Sequence, residues 1–154
     1  MSALAVARAL HVLAVVIWIG GVSIVTLVVL PAIRRGAFGA DPNRAFEAIE
    51  RRFVWYARSA VILAGATGFY MVEQLRLWSL FHSAHFWWMH AMVGVWTIFA
   101  LVLFVIEPLG LNRRLRSSKE DASQETFARL QRAHIILLIL ALITIFGAVA
   151  GSHG

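Results

Sequence analysis

The chain has 154 residues, no cysteine, 60% apolar and 14% charged residues, and a mean hydropathy of +0.78. A soluble domain carries about a quarter charged residues, so this composition argues against a soluble globular protein. The absence of thiols excludes disulfides, thiolate metal sites and cysteine nucleophiles. A formal charge of +6 and a pI near 11.3 suggest either nucleic acid or a membrane, and the placement of the cations has to decide between them.

The length is that of one domain, and the apolar residues fall in four blocks. The first runs from about Leu4 to Leu30 and is closed by Pro31. Arg8 near its start imitates a signal peptide, but the block outruns a cleavable apolar region and lacks a clean small-x-small exit, so it reads as a retained helix. A polar connector follows over 31–52, with Asp41 as N-cap and Pro42 at the first helical position. Phe46, Ile49 and Phe53 recur at helical spacing, which predicts a short interfacial helix over about 42–52 before the chain turns into block two. Block two runs from about Phe53 to Trp78, and Arg58 near its start can snorkel to the interface. A short turn, Ser79 to His85, leads to block three, about Phe86 to Glu107, which Pro108 stops. After a basic connector over 109–133, block four runs from about His134 to Gly151. Each block can cross about 30 Å of hydrocarbon at 1.5 Å per residue. The expectation is an all-α polytopic membrane protein, one domain over 1–154, built as an up-down four-transmembrane-helix bundle.

Orientation follows from the basic residues. Arg34, Arg35, Arg44, Arg51, Arg52 and Arg58 lie in or beside the first connector, and Arg113, Arg114, Arg116, Lys119, Arg129 and Arg132 in the second. Only Arg8 and Arg76 remain for the other side. The positive-inside rule then puts both connectors in the cytoplasm and both termini on the periplasmic side of a bacterial-type inner membrane. Contact with the lipid bilayer explains the basic pI, so no nucleic acid partner is expected. Trp78, Trp87 and Trp88 at the outer boundary and Trp55 at the inner one fit an aromatic belt.

Topology brings histidines to one level. Counted from the cytoplasmic ends of their helices, His11, His90 and His153 all stand roughly 26–28 Å up, with Met71 at a similar height. His82 and His85 lie in the turn above, and His134 stands alone at the inner edge. A histidine within a span is costly to leave unpaired. His11 shares a helix face with Ala14, Val15 and Trp18, and His90 shares one with Gly94 and Thr97. A glycine one turn from a histidine leaves room for a flat group such as a porphyrin, or for close approach of another helix.

Helices one and three are diagonal in an up-down bundle. His11 and His90 are therefore candidate axial ligands of a haem b, with His153 a further metal candidate and Trp18 and Gly94 beside the cofactor. Arg8 and Arg76, the rare outer cations, are candidate propionate partners. His82 and His85 read as solvated loop residues, and Met71, Met89 and Met92 as packing residues. Glu73 reads as a partner for Arg76 or as a ligand. Gly147 and Gly151 make a GxxxG pattern that permits close helix contact or a homodimer.

The stretch from Leu10-His11 through Trp18-Ile19-Gly20-Gly21 to Pro31 resembles the first helix of the CopD-like membrane proteins, associated with copper resistance and uptake. It is also similar to that of the HemJ-type proteins, which bind haem b and serve protoporphyrinogen oxidation. Arg51-Arg52-Phe53, Thr67-Gly68 and Trp88-Met89-His90 extend the resemblance over most of the chain. Two departures stand out. Met92 occupies the place of a HemJ-type lysine, and Ala133-His134-Ile135-Ile136 replaces an Asn-Glu-x-Pro run. Carried over by residue, the resemblance implies ligand roles for His11 and His90 only.

Three functions follow as expectations. The first is a b-type haem protein at the outer face of the membrane, an oxidoreductase or electron carrier working with a quinone or a periplasmic electron carrier. The second is copper binding or uptake, since imidazole and thioether suit copper. Against it, the helices below His11 offer little polar path beyond Ser23, Thr26, Thr97 and Thr144. The third is a non-catalytic subunit of a larger membrane complex. No Ser-His-Asp set, phosphate-cradling glycine loop or carboxylate pair occurs, which argues against hydrolases and nucleotide enzymes.

Overall fold

Ser2 starts the first helix, its hydroxyl accepting the Ala5 N–H at 3.2 Å as an N-cap should. The computed structural model of the chain describes residues 2–37, 42–109 and 123–151, all of whose regular structure is helical. Helix α1 is continuous over Ala3–Arg34, α2 spans Pro42–Gln74, α3 spans Trp87–Leu101 and runs on into Val102–Ile106, and α4 spans Ser123–Gly151. Among the described residues, three stretches are long and apolar enough to cross a membrane: Ala3–Arg34, Ala84–Ile106 and Ala128–Gly151. Helix α2 is equally long but more polar, because it carries Arg44, Glu47, Glu50, Arg51, Arg52, Arg58 and Glu73 along its length.

Two boundaries differ from the sequence expectation. The expected turn between an interfacial piece at 42–52 and block two is absent, and Pro42–Gln74 is one helix. Nothing in Arg51-Arg52-Phe53 breaks a helix, and the Phe46 and Phe53 side chains that suggested a surface piece pack into the bundle instead. At its other end α2 stops at Gln74 rather than Trp78. Arg76 there takes a left-handed conformation, φ 53°, and the chain continues as tight 3₁₀ turns over Leu77–His82 and Ala84–Phe86. A left-handed residue is a common helix stop, but glycine is its usual signal, so the boundary is invisible in an arginine.

Neighbouring helices run antiparallel. Between α1 and α2, Gly21 meets the Phe53 ring while His11 meets Thr67. Between α2 and α3, Arg58 meets Leu103 while Trp96 covers Gly65. Between α3 and α4, Trp87 lies on Gly147 and Trp88 on Gly151. A Cβ at any of these four glycines would overlap the ring upon it. The GxxxG of α4 is thus filled by two tryptophans of the same chain, rather than lying open for a second copy.

The central core holds Trp18, Val61, Phe99, Leu138 and the small residues Ala57, Ala60 and Ala64 of α2, which let α1 approach closely. Trp18 packs edge-on against Phe99 with ring centroids 4.9 Å apart. A second cluster, Val25, Leu30, Ile33 and Phe46, closes the end of the bundle where α1 passes to α2.

At that same end, α1 and α3 each widen into a π turn, over Val25–Val29 and Val102–Ile106. Each turn ends just before a proline, Pro31 or Pro108. The consequence is visible in α3. The Glu107 N–H bonds the Val102 carbonyl at 2.9 Å, and Pro108 has no N–H to give, so the Leu103 carbonyl loses both intrahelical donors. Arg58 of α2 supplies the replacement, with Nε at 3.0 Å and Nη2 at 2.9 Å from that oxygen. Nη2 also donates to Glu107 Oε2 at 2.5 Å, and the guanidinium lies over the Trp55 and Phe104 rings. Arg58 therefore does more than snorkel. It is fixed between α2 and α3.

Candidate functional site

His11 stands on α1 one turn above Ala14, at the level where α2 presents Ala64, Thr67 and Gly68. Its Nδ1 lies 2.9 Å from the Ala64 carbonyl and 3.1 Å from Thr67 Oγ1. A carbonyl can only accept, so Nδ1 carries the ring proton. The Thr67 hydroxyl donates to the Leu63 carbonyl at 2.6 Å and is free to accept from the imidazole. One neutral tautomer satisfies all of these bonds and leaves Nε2 with an open lone pair. No hydrogen bond reaches Nε2 among the described residues. Gly68 completes the cradle: a Cβ there would come to 3.2 Å from the imidazole Cε1.

An imidazole held through Nδ1–H by a backbone carbonyl is the arrangement that orients a metal-ligating histidine and raises the basicity of its other nitrogen. It also satisfies an idle histidine. The arrangement can bind a metal at Nε2 without changing any bond it already makes.

His90 is placed differently. It is exposed on α3, its Nε2–H donates to the Phe81 carbonyl at 3.0 Å, and its ring stands edge-on to Phe81 at 5.5 Å between centroids. His11 is thus held by α2 and His90 by the 3₁₀ turn, with no ring contact or hydrogen bond joining them. His90 shares a cavity of about 420 Å³ with Phe81, His82, Ser83, Ala84 and Trp87.

The other predicted residues separate in the same way. Trp18 is 5% exposed in the central core, and its indole N–H has no acceptor among the described residues. Gly94 is exposed, and among the described residues nothing lies within 4 Å of where a Cβ would stand. Arg8 is exposed one turn before His11 on the same face of α1, and Arg76 is exposed at the end of α2. Glu73 accepts from Trp78 Nε1 at 2.8 Å, and no ion pair joins it to Arg76. His82 and His85 are exposed, and His85 stacks edge-on against Phe86 and Trp88. His134 donates from Nδ1 to the Leu130 carbonyl one turn earlier in its own helix. His153 lies outside the described residues.

Sequence reasoning did not assign a role at the site to Thr67, Gly68 or the Ala64 carbonyl. The signal available was the run Ala64-Gly65-Ala66-Thr67-Gly68, small residues with one hydroxyl at the height of His11. A backbone acceptor leaves no mark in a sequence. No family model, no curated protein and no solved structure matches the chain.

Proposed function

We propose that this chain is a four-span integral membrane protein that binds haem b through His11, with both termini on the outer side. The observation that carries the reading is the His11 clasp: Nδ1–H bound to Ala64 and Thr67 of α2, with Nε2 uncommitted. Arg8, one turn away on the same face, is the natural propionate partner, with Arg76 a second cation on that side.

The clasp leaves His11 Nε2 as the nitrogen that would hold the haem iron. His90 gives Nε2–H to the Phe81 carbonyl, so its open nitrogen is Nδ1, and it would contribute to holding the haem through that nitrogen or after the turn releases Nε2. When bound, haem supplies one-electron redox chemistry. The chain's own residues hold His11 in the Nδ1–H tautomer and offer positive charge beside it. A quinone or a periplasmic electron carrier is the redox partner in this reading. The enzyme variant, protoporphyrinogen oxidation, lacks the polar group at Met92 that the resemblance calls for.

Copper is the weaker alternative. Among the described residues no three His, Cys, Asp or Glu side chains come together as a cage for a metal ion. A single anchored imidazole suits haem, whose porphyrin provides the other four donors.

The fourth span is α2. Its one deep charge, Arg58, is neutralised by Glu107 and hydrogen bonded to the Leu103 carbonyl, which lowers the cost of carrying it into the membrane. With α2 spanning, the basic connectors fall on one side, and positive-inside orientation makes that side cytoplasmic.

A reduced-minus-oxidised spectrum of protein purified from a haem-replete host tests this reading. A sharp reduced band that disappears in His11→Ala is expected, and carbon monoxide binding to the reduced form reports whether a second protein ligand is engaged. A colourless preparation rejects haem. A coloured His11→Ala protein reduces the clasp to a helix–helix contact.

A further inference from the structure

The amino-terminal half of α2 carries a feature that the haem reading leaves unused. Arg44, Glu47, Ala48, Arg51 and Arg52 line a cavity of about 370 Å³ on the helix surface. Arg51 and Arg52 are exposed, and neither has an ion-pair partner among the described residues. Arginines outnumber the one acidic residue in its lining, so the lining carries net positive charge. One turn further along the helix, Trp55 and Tyr56 are 67% and 68% exposed. Beyond them on α2, Ile62 and Phe69 are also exposed. Trp55 follows Arg51, and Tyr56 follows Arg52, at the i,i+4 spacing that puts them on one strip of helix.

From the helix start, this strip reads cation, then amphipathic aromatic, then aliphatic. A phospholipid has the same order: phosphate, glycerol ester, acyl chain. Exposed arginines could serve solubility alone, but solubility does not require two large aromatic rings in the next turn. A planar guanidinium fork binds a phosphate through paired N–H donors, and Trp and Tyr settle at the ester level of a bilayer.

We propose that this strip of α2 is a discrete binding site for an anionic phospholipid of the cytoplasmic leaflet. Its phosphate is held by Arg51 and Arg52 in the cavity, and its acyl chains run along the helix past Trp55 and Tyr56. The site rests on the four-span reading of the bundle and is independent of haem. Retention of the bound lipid would anchor α2 where it leaves the membrane, although its first turns are too polar to anchor themselves.

The test uses the full chain in a neutral detergent, with native mass spectrometry after addition of phosphatidylglycerol or phosphatidylcholine of equal chain length. Retention of phosphatidylglycerol is expected at least tenfold above phosphatidylcholine. The preference should fall to near unity in the Arg51→Ala/Arg52→Ala double variant. Arg51→Lys/Arg52→Lys keeps the charge and loses the fork, so a several-fold loss is expected. Full retention in the lysine variant would mean diffuse attraction and overturn the discrete site. Equal retention of the two lipids would overturn it as well.

Inorganic phosphate at millimolar concentration should not displace the lipid; if it does, the site binds a free phosphate group and the lipid assignment is wrong. Unchanged helical circular dichroism in both double variants guards against misfolding. Labelling of Ala37→Cys and Ser79→Cys from the same side of the membrane by an impermeant maleimide would signal failure of the four-span reading instead.

Discussion

Two of the polar contacts that tie α2 to its neighbours are built on opposite principles. At one level His11 of α1 gives a single neutral N–H to α2 and keeps a nitrogen in reserve. At the other, Arg58 spends its charge and its donors on α3, on Glu107 and on the carbonyl that Pro108 orphans. A charged group in an apolar bundle has to be consumed by its partners, because leaving it unpaired costs several kcal/mol. A neutral imidazole can be half used at little cost. That difference makes the Arg58 contact a lock and leaves the His11 contact open to a ligand.

The comparison can be broken most sharply at the lock. Arg58→Ala leaves Glu107 and the Leu103 carbonyl without their donors and should destabilise the protein by about 3 kcal/mol or more, seen as a large drop in thermal midpoint in detergent. Arg58→Lys should recover only part of this, because one ammonium does not reproduce the guanidinium fork. If Arg58→Ala melts with the native protein, the Arg58 contact is ornamental.

Next in size is the α3–α4 seam. Gly147→Leu forces the Trp87 ring away and should cost about 1–3 kcal/mol by overpacking, whereas a glycine pattern reserved for a dimer would change association instead. Thermal unfolding and light scattering on the same sample distinguish the two outcomes.

At the open contact, smaller effects are expected. Thr67→Val removes one acceptor but leaves the Ala64 carbonyl, so stability should fall by only about 0.5–1 kcal/mol and haem should be retained. Loss of haem in that variant would make the hydroxyl, rather than the carbonyl, the group that sets the tautomer.

The smallest effect sharpens the choice between two glycines. Gly68→Ala pushes on the imidazole and should shift the reduced band, while Gly94→Ala meets nothing and should leave both spectrum and stability unchanged or slightly improved. A spectral change at Gly94 would place it beside the proposed haem.

Much of this was legible before folding. Helices appear wherever apolar blocks of spanning length occur, because in lipid the backbone must satisfy itself. Pro108 marked the end of the third block, whereas α1 runs through Pro31 to Arg34. His11 was identifiable as a polar group in an apolar run. Its pairing with His90 was not a safe deduction, since equal height and a shared diagonal do not set the direction of a ring. His90 turns to the Phe81 carbonyl, and that acceptor belongs to a 3₁₀ turn which the sequence resembled only as a loop.

The sequence by itself determined an all-helical, membrane-suited chain, the asymmetry of its cations and the few polar side chains within its apolar blocks. These are properties of residue type and spacing, and they survive any arrangement of the helices. Only the tertiary structure decided which carbonyl each polar group finds. It gave Arg58 to an oxygen left bare by a proline five residues on, put two tryptophans into the glycines of α4, and held His11 by one nitrogen. Backbone acceptors are common to every residue and carry no sequence signature, so their partners emerge only when the helices meet.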